Sequence, residues 1–279
     1  MQSYAQTNLQ LFNQVIQQDY SLEDLQQLAK AYRVTIELFT GMFRPSGKTF
    51  VAHLVGTASI LTSLNQSIDV VIAGLLHAAY ANGDFGVGGR KGITPAKRSY
   101  LQSRLGNRVE AYIGQYTKLK WDPDTPKKLL SRMEQFNQTD KDVLLIRLAN
   151  ELEEYLDCGM VYNGIEKGQR YLKHDTNAIK NLAIELGFPT LAQSLIESID
   201  FNEHVAIPLE LCNLVEKSSS TLLLPKSLQI SLLDREIRFI KNQSRRLFRL
   251  FQGLKKVFSG PLSRGSSQQQ DCNSSSSLG

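Results

Sequence analysis

The sequence predicts an all-α protein. Three observations carry this: a succession of apolar-periodic segments opened by capping residues, turn and breaker clusters between them, and an apolar fraction of 42% with low complexity confined to the C-terminal end. A chain of 279 residues is long enough for one large helical core, or for one domain with an appended module.

Taken in order, residues 5–40 read as two helices, the second entered at Ser21 with Asp24 three positions on, a capping-box pattern. Arg44-Pro45-Ser46-Gly47 is a turn, followed by apolar helices near residues 50–64 and 68–81 that carry His53 and His77. Asn82 to Gly92 is a Gly-rich loop, and Thr94-Pro95 opens another helix with proline in its first turn. Its glycines lack Walker spacing and no Gly-Lys-Ser/Thr follows, so it reads as a surface loop. Trp121 to Pro126 breaks the pattern, and the stretch Thr139 to Asp142 is expected to cap the long helix bearing Asn150. His174-Asp175 is a His-Asp dipeptide that reads as a helix entrance, with Asp175 or Thr176 as the cap. Asn177 to Leu186 ends at Gly187, Pro189 interrupts, and Thr190 is expected to cap the next helix. The expected organisation is a helical domain over residues 1–215, a linker over 216–227, a basic amphipathic helix over 228–259 and a disordered tail over 260–279.

The order and spacing of several short stretches resemble the HD superfamily of helical phosphohydrolases, closest to the hydrolase domain of the alarmone enzymes. They are Arg44-Pro45-Ser46-Gly47, His53, Ala73-Gly74-Leu75-Leu76-His77-Ala78, Leu105-Gly106-Asn107-Arg108-Val109, Thr117-Lys118-Leu119 and Leu145-Ile146-Arg147-Leu148-Ala149-Asn150. The likeness runs over roughly residues 20–160. His77-Ala78-Ala79-Tyr80 with Phe85 also resembles an uncharacterised branch of HD-like proteins. The resemblance implies a divalent metal held by two histidines, an Asp after the second, and a distal Asp. Here those Asp positions are Ala78 and Asn150, and the family's Glu-Asp acid pair is Ala81-Asn82.

Losing two carboxylates removes two hard oxygen ligands and two negative charges, so His53 and His77 with the Asn150 amide imply a weakly held divalent metal or none. Glu154 lies one turn after Asn150 on the same face and is a candidate replacement ligand, as is Asp84 in the loop after His77. The bland alternative makes Glu151, Glu153 and Glu154 a solvated helix edge, and makes each histidine a core residue satisfied by one hydrogen bond. The resemblance also gives Arg44 and Lys48 as nucleotide contacts. The candidate ligand pocket is therefore Arg44, Lys48, His53, His77, Tyr80, Asn150 and Glu154, with Tyr80 or Asn150 as hydrogen-bond partners of the histidines.

Cys158, Cys212 and Cys272 are widely spaced, which implies a reducing compartment and no disulfide framework. No apolar run approaches a membrane span, and Met1-Gln2-Ser3-Tyr4 shows no signal-peptide pattern, so a cytoplasmic location is expected, peripheral if a surface helix binds a membrane. Between Arg235 and Lys256 eight basic residues face one acidic residue, Glu236, a local charge of +7 in a chain of +5. Ile237, Ile240, Leu247, Phe251, Leu254 and Phe258 fall on one stripe at helical spacing. Arg245, Arg246, Phe248, Arg249, Phe251, Lys255 and Lys256 thus form a candidate membrane or partner surface, against packing on the domain. Nucleic acid is the weakest partner, since a positive helix without a recognition fold offers only nonspecific attraction. The functional expectation is a degenerate, non-hydrolytic HD-like protein that binds a ligand, such as a phosphorylated small molecule, or a partner. The alternatives are a metal-dependent phosphohydrolase acting on a nucleotide-like phosphate ester, and a membrane-surface adaptor.

Overall fold

The computed structural model describes residues 4–86, 92–162, 175–212 and 220–226, together with Ile237 and Ser244. Arg245, Arg246, Phe248, Arg249, Phe251, Lys255 and Lys256 of the expected basic helix, and the tail beyond it, lie outside the described residues, as does His174.

The domain is all-α apart from two short strands. Among the described residues its helices are α1 (Asn8–Gln17), α2 (Leu22–Phe39), α3 (Phe50–Ser63), α4 (Ile68–Leu75), α5 (Ala79–Asn82), α6 (Pro95–Leu105), α7 (Asn107–Lys118), α8 (Thr125–Leu130), α9 (Gln138–Leu156), α10 (Gly159–Tyr162), α11 (Thr176–Glu185) and α12 (Pro189–His204). Side chains fix several starts, each cap contributing about 1 kcal/mol. Ser21 and Asp24 close a capping box on α2, Thr94 caps α6 ahead of Pro95, and Asp175 caps α11. Two expected caps are corrected. Asn137, rather than the Thr139 to Asp142 stretch, caps α9, in a reciprocal box with Asp140. Phe188 precedes α12, because Pro189 takes the first helical position, where its missing N–H leaves no helical bond unmade.

Helices α3 and α4 are apolar on nearly every face and are buried almost throughout, as core helices are. α3 packs on α4 and α9, while α9 also meets α7 and α12. The helix expected over residues 68–81 is interrupted: α4 stops at Leu75, and His77 and Ala78 lie in the turn before α5. Two short strands, β1 (Met42–Phe43) and β2 (Thr221–Leu222), pair antiparallel, with Met42 opposite Leu222. The Leu223 N–H extends this ladder to the Gly41 carbonyl at 2.8 Å.

Candidate functional site

Three segments build the site. The first is the turn after β1. The Gly47 N–H donates to the Arg44 carbonyl at 2.9 Å and the Arg44 N–H to the Lys48 carbonyl at 2.7 Å, so the chain reverses within a few residues. Gly47 has φ +86°, a left-handed conformation that favours glycine. The second segment is α3, capped by Thr49, which places His53 in the core at 1% exposure. The third is the last part of α9 with its C-cap, where Glu153, Glu154 and the capping Asp157 lie three, four and seven residues after Asn150.

These segments form a chain of charged contacts. Arg44 pairs with Glu154, and Lys48 with both Glu153 and Asp157. The His53 Nδ1–H donates to Glu153, which leaves Nε2 as the acceptor facing Arg44 Nη1 at 3.5 Å. Glu154 Oε1 lies 3.9 Å from His53 Nδ1. Gly56, one turn after His53 on α3, leaves the space that Glu153 fills: a Cβ there would stand 2.8 Å from Glu153 Cγ.

The buried environment sets the protonation states. Burial pushes the His53 imidazole down to about 4, with Arg44 and Lys48 adding to the effect against the opposing pull of Glu153. Burial raises the Glu153 carboxyl, but His53 and Lys48 outweigh it and hold the group at about 2. His77 is likewise held well below its ordinary value, by burial first and then by its charged neighbours. At neutral pH the local groups are therefore two neutral imidazoles, the Glu153 carboxylate and the cation Lys48, beside the paired Arg44 and Glu154.

Beside this cluster lies a cavity of about 260 Å³ that includes Arg44, His77, Ala78, Arg147, Asn150 and Glu154 in its lining. The His77 Nδ1–H donates to the Gly74 carbonyl at 2.7 Å, which fixes the ring and assigns the lone pair to Nε2. Its ring centroid is 5.3 Å from that of His53 and 4.9 Å from that of Tyr116. Asn150 is 5% exposed, and its Oδ1 meets no hydrogen-bond donor among the described residues.

The structure thus brings Arg44, His77, Asn150 and Glu154 to one cavity, with His53 directly behind it. Lys48 joins the charged cluster from outside the cavity. Tyr80 stands apart, its hydroxyl donating to Glu110 Oε1 at 2.6 Å, because Glu110 is buried and takes Arg98 and Gln102 as its other partners. Glu151, Glu153 and Glu154 are buried at 0%, 2% and 8% exposure and are no solvated edge. Sequence reasoning passed over Arg147, which bonds Glu151 and the Tyr116 hydroxyl and stacks over Trp121 at 4.9 Å. It also passed over Glu153 as a partner of His53. The signals were present as Arg147 and Glu151 four apart and Asn150 and Glu153 three apart.

Whether an HD-type metal fits can be read from the donors. Ala78 offers none, and Asn150 offers a neutral oxygen. The carboxylates Glu153 and Glu154 are each matched by a cation, and both nitrogens of His53 face partners. As the side chains stand, these residues do not fit a dication. His53, Glu153 and Glu154 do nevertheless form a group of metal-ligating types whose donor atoms all lie within 4.8 Å of one another.

Comparison with known proteins finds likenesses of low identity. A family described as a domain of unknown function (DUF6817) matches residues 36–120. A GTP pyrophosphokinase of Streptomyces antibioticus is 26% identical over 174 residues, 61% of this chain and 19% of that protein. The bifunctional (p)ppGpp synthase/hydrolase SpoT of Escherichia coli K12 is 24% identical over 194 residues, 66% of this chain and 25% of its own length. At 26% and 24% identity these likenesses point the same way as the HD-type motifs of the sequence. The chain spans about a fifth to a quarter of the length of the curated relatives it matches. A solved structure, described as a metazoan ortholog of SpoT that hydrolyses ppGpp, aligns with a TM-score of 0.43 and 16% identity over 66% of this chain and 96% of that one.

Proposed function

We propose that this HD-like chain binds a small phosphorylated ligand without hydrolysing it. The observation that carries the reading is the replacement of both acidic metal-ligand positions by Ala78 and Asn150 in the wall of the cavity, while the carboxylates in that wall, Glu151 and Glu154, are paired with Arg147 and Arg44, and Glu153 behind it with Lys48. A cavity of about 260 Å³ suits a phosphate-bearing group or a nucleobase better than a drug-sized ligand. Arg44 and Arg147 supply planar guanidinium donors suited to phosphate, and Asn150 Oδ1 supplies an acceptor for a ligand N–H. The relatives named for guanosine bis(diphosphate) chemistry make guanosine nucleotides the first ligands to try.

One observation favours a second reading, a metal-dependent phosphohydrolase acting on a nucleotide-like phosphate ester: His53, Glu153 and Glu154 converge. It requires that both cations leave the carboxylates. Calorimetric titration of the purified chain with guanosine nucleotides, alongside a phosphate- and pyrophosphate-release assay with and without Mn²⁺, separates the two. We expect saturable binding that weakens at least tenfold in Arg147→Ala, with no release. Turnover that depends on Mn²⁺ and vanishes in His53→Ala overturns the non-hydrolytic reading.

A further inference from the structure

We propose that Arg44 and Lys48 are built-in counter-cations, occupying electrostatically the place of a divalent metal among His53, Glu153 and Glu154, so that this trio is a latent transition-metal site held closed by the turn over residues 44–48. The trio differs from the two-histidine, two-aspartate set that the HD resemblance implies. It keeps His53 and moves the carboxylates one turn along α9. The inference does not depend on the identity, or the existence, of a ligand in the cavity.

Three observations converge on it. The first is geometric: a tetrahedral metal with bonds of about 2.1 Å needs ligand atoms about 3.4 Å apart, and His53 Nδ1 and Glu154 Oε1 already stand 3.9 Å apart. Side-chain adjustment closes the difference once the His53 proton moves from Nδ1 to Nε2, the nitrogen that Arg44 faces while the turn is in place. The second is electrostatic, since two buried carboxylates, at 2% and 8% exposure, need compensating positive charge. The two cations that supply it come from one short turn, over a hundred residues away in sequence. The third is the surroundings of the trio. Gly56 lacks the Cβ that would collide with Glu153, and Asn150, in the adjoining cavity with Glu154, has a buried Oδ1 without a donor among the described residues. An imidazole with two carboxylates suits Zn²⁺ or Mn²⁺.

The turn and the metal are then mutually exclusive occupants. With both cations in place the carboxylate charge is cancelled and a dication gains little by entering. With both removed, Glu154 without its cation and Glu153 bonded to His53 remain in a low-dielectric site, where a dication is the natural replacement.

The test uses the full chain with metal alone as the probe. Arg44→Met with Lys48→Met keeps the apolar stems and deletes both charges. We expect the double variant to melt below the unsubstituted chain without metal, to regain its thermal midpoint with Zn²⁺ or Mn²⁺, and to bind one equivalent at least tenfold more tightly. Adding His53→Ala or Glu153→Gln must abolish that gain. If the double variant does not fold, Lys48→Met alone, which leaves the Arg44–Glu154 pair, must still bind metal at least threefold more tightly. A folded variant that binds no more metal than the unsubstituted chain overturns the proposal, as does a gain that survives His53→Ala. So does stoichiometric metal in the unsubstituted chain, because the turn would then not exclude it.

Discussion

Gly56→Ala offers a sharp test of how tightly the charged cluster is built. In an unconstrained helix interior this substitution stabilises by about 1 kcal/mol, because alanine loses less backbone freedom on folding. In α3 the new Cβ would lie 2.8 Å from Glu153 Cγ, 2.9 Å from Glu153 Oε1 and 3.2 Å from Gln6 Nε2. Glu153 has little room to yield: it is 2% exposed, and its carboxylate is held by both His53 and Lys48. If the side chain is displaced, a buried carboxylate and its partners lose one another, at a cost of about 3–5 kcal/mol. Set against the helical gain, the net expectation is a destabilisation of about 2–4 kcal/mol. Urea unfolding followed by far-ultraviolet circular dichroism measures it. Combining Gly56→Ala with Glu153→Ala removes the collision, so the two effects should fall short of additivity by more than about 1 kcal/mol. An unchanged or raised midpoint for Gly56→Ala, or strict additivity in the double variant, would refute the packing argument.

Stability should also fall on acidification, earlier than carboxylate titration alone would cause. His53 is held at about 4 and remains neutral when folded, whereas the unfolded chain takes up a proton below about 6.5. Stability is then lost as pH falls from about 6.5 towards 4, by on the order of 2 kcal/mol between pH 6.5 and 5. Glu153, held down at about 2, adds a further loss from its ordinary carboxylate range towards pH 2. A urea midpoint flat from pH 7 to 5 would contradict the buried neutral imidazole. Ala78→Asp with Asn150→Asp adds two carboxylates for which Arg44 and Lys48 are already engaged, and should raise bound metal after dialysis from well under one equivalent to near one, measured by plasma mass spectrometry. For the basic segment, anionic vesicles should sediment the full chain but not a chain ending at Leu224, and high salt should weaken the interaction, at about 1 kcal/mol per basic residue near the surface. Equal binding by the shortened chain would assign the membrane affinity elsewhere.

What the sequence disclosed of the fold was its local chemistry. Ser21 with Asp24 and Thr94 with Pro95 act within one turn, so their roles can be read without knowing what they pack against. The break of α4 at Leu75 was not legible, because every residue from Ile68 to Tyr80 is compatible with a continuous apolar helix. What marks the turn is the His77 ring bonding the Gly74 carbonyl. The pairing of β1 with β2 was hidden for a different reason: two residues on each side give no alternation to detect, and their separation along the chain exceeds 170 residues.

The site was half legible, and the missing half concerns sign rather than position. Arg44, His53, His77 and Asn150 stood out by spacing, and three of them line the cavity with the fourth immediately behind. Glu153 and Glu154 read as a solvated run because a helix showing three acids in four positions usually faces water. Their cations are supplied by the 44–48 turn, which the same reading reserved for a ligand. Seen in the fold, the two features are one arrangement. Moving from Asn150 to Glu153 and Glu154 shifts the carboxylate charge about 5 Å along α9. The level of His77, Ala78 and Asn150 is left polar but without a carboxylate from those positions, and the next level is acidic but already compensated. A dication therefore meets ligands with too little charge at one level and charge already neutralised at the other. Restoring carboxylates at positions 78 and 150 and removing cations at 44 and 48 should consequently open binding at two different levels along α9. Only the second should require Glu153.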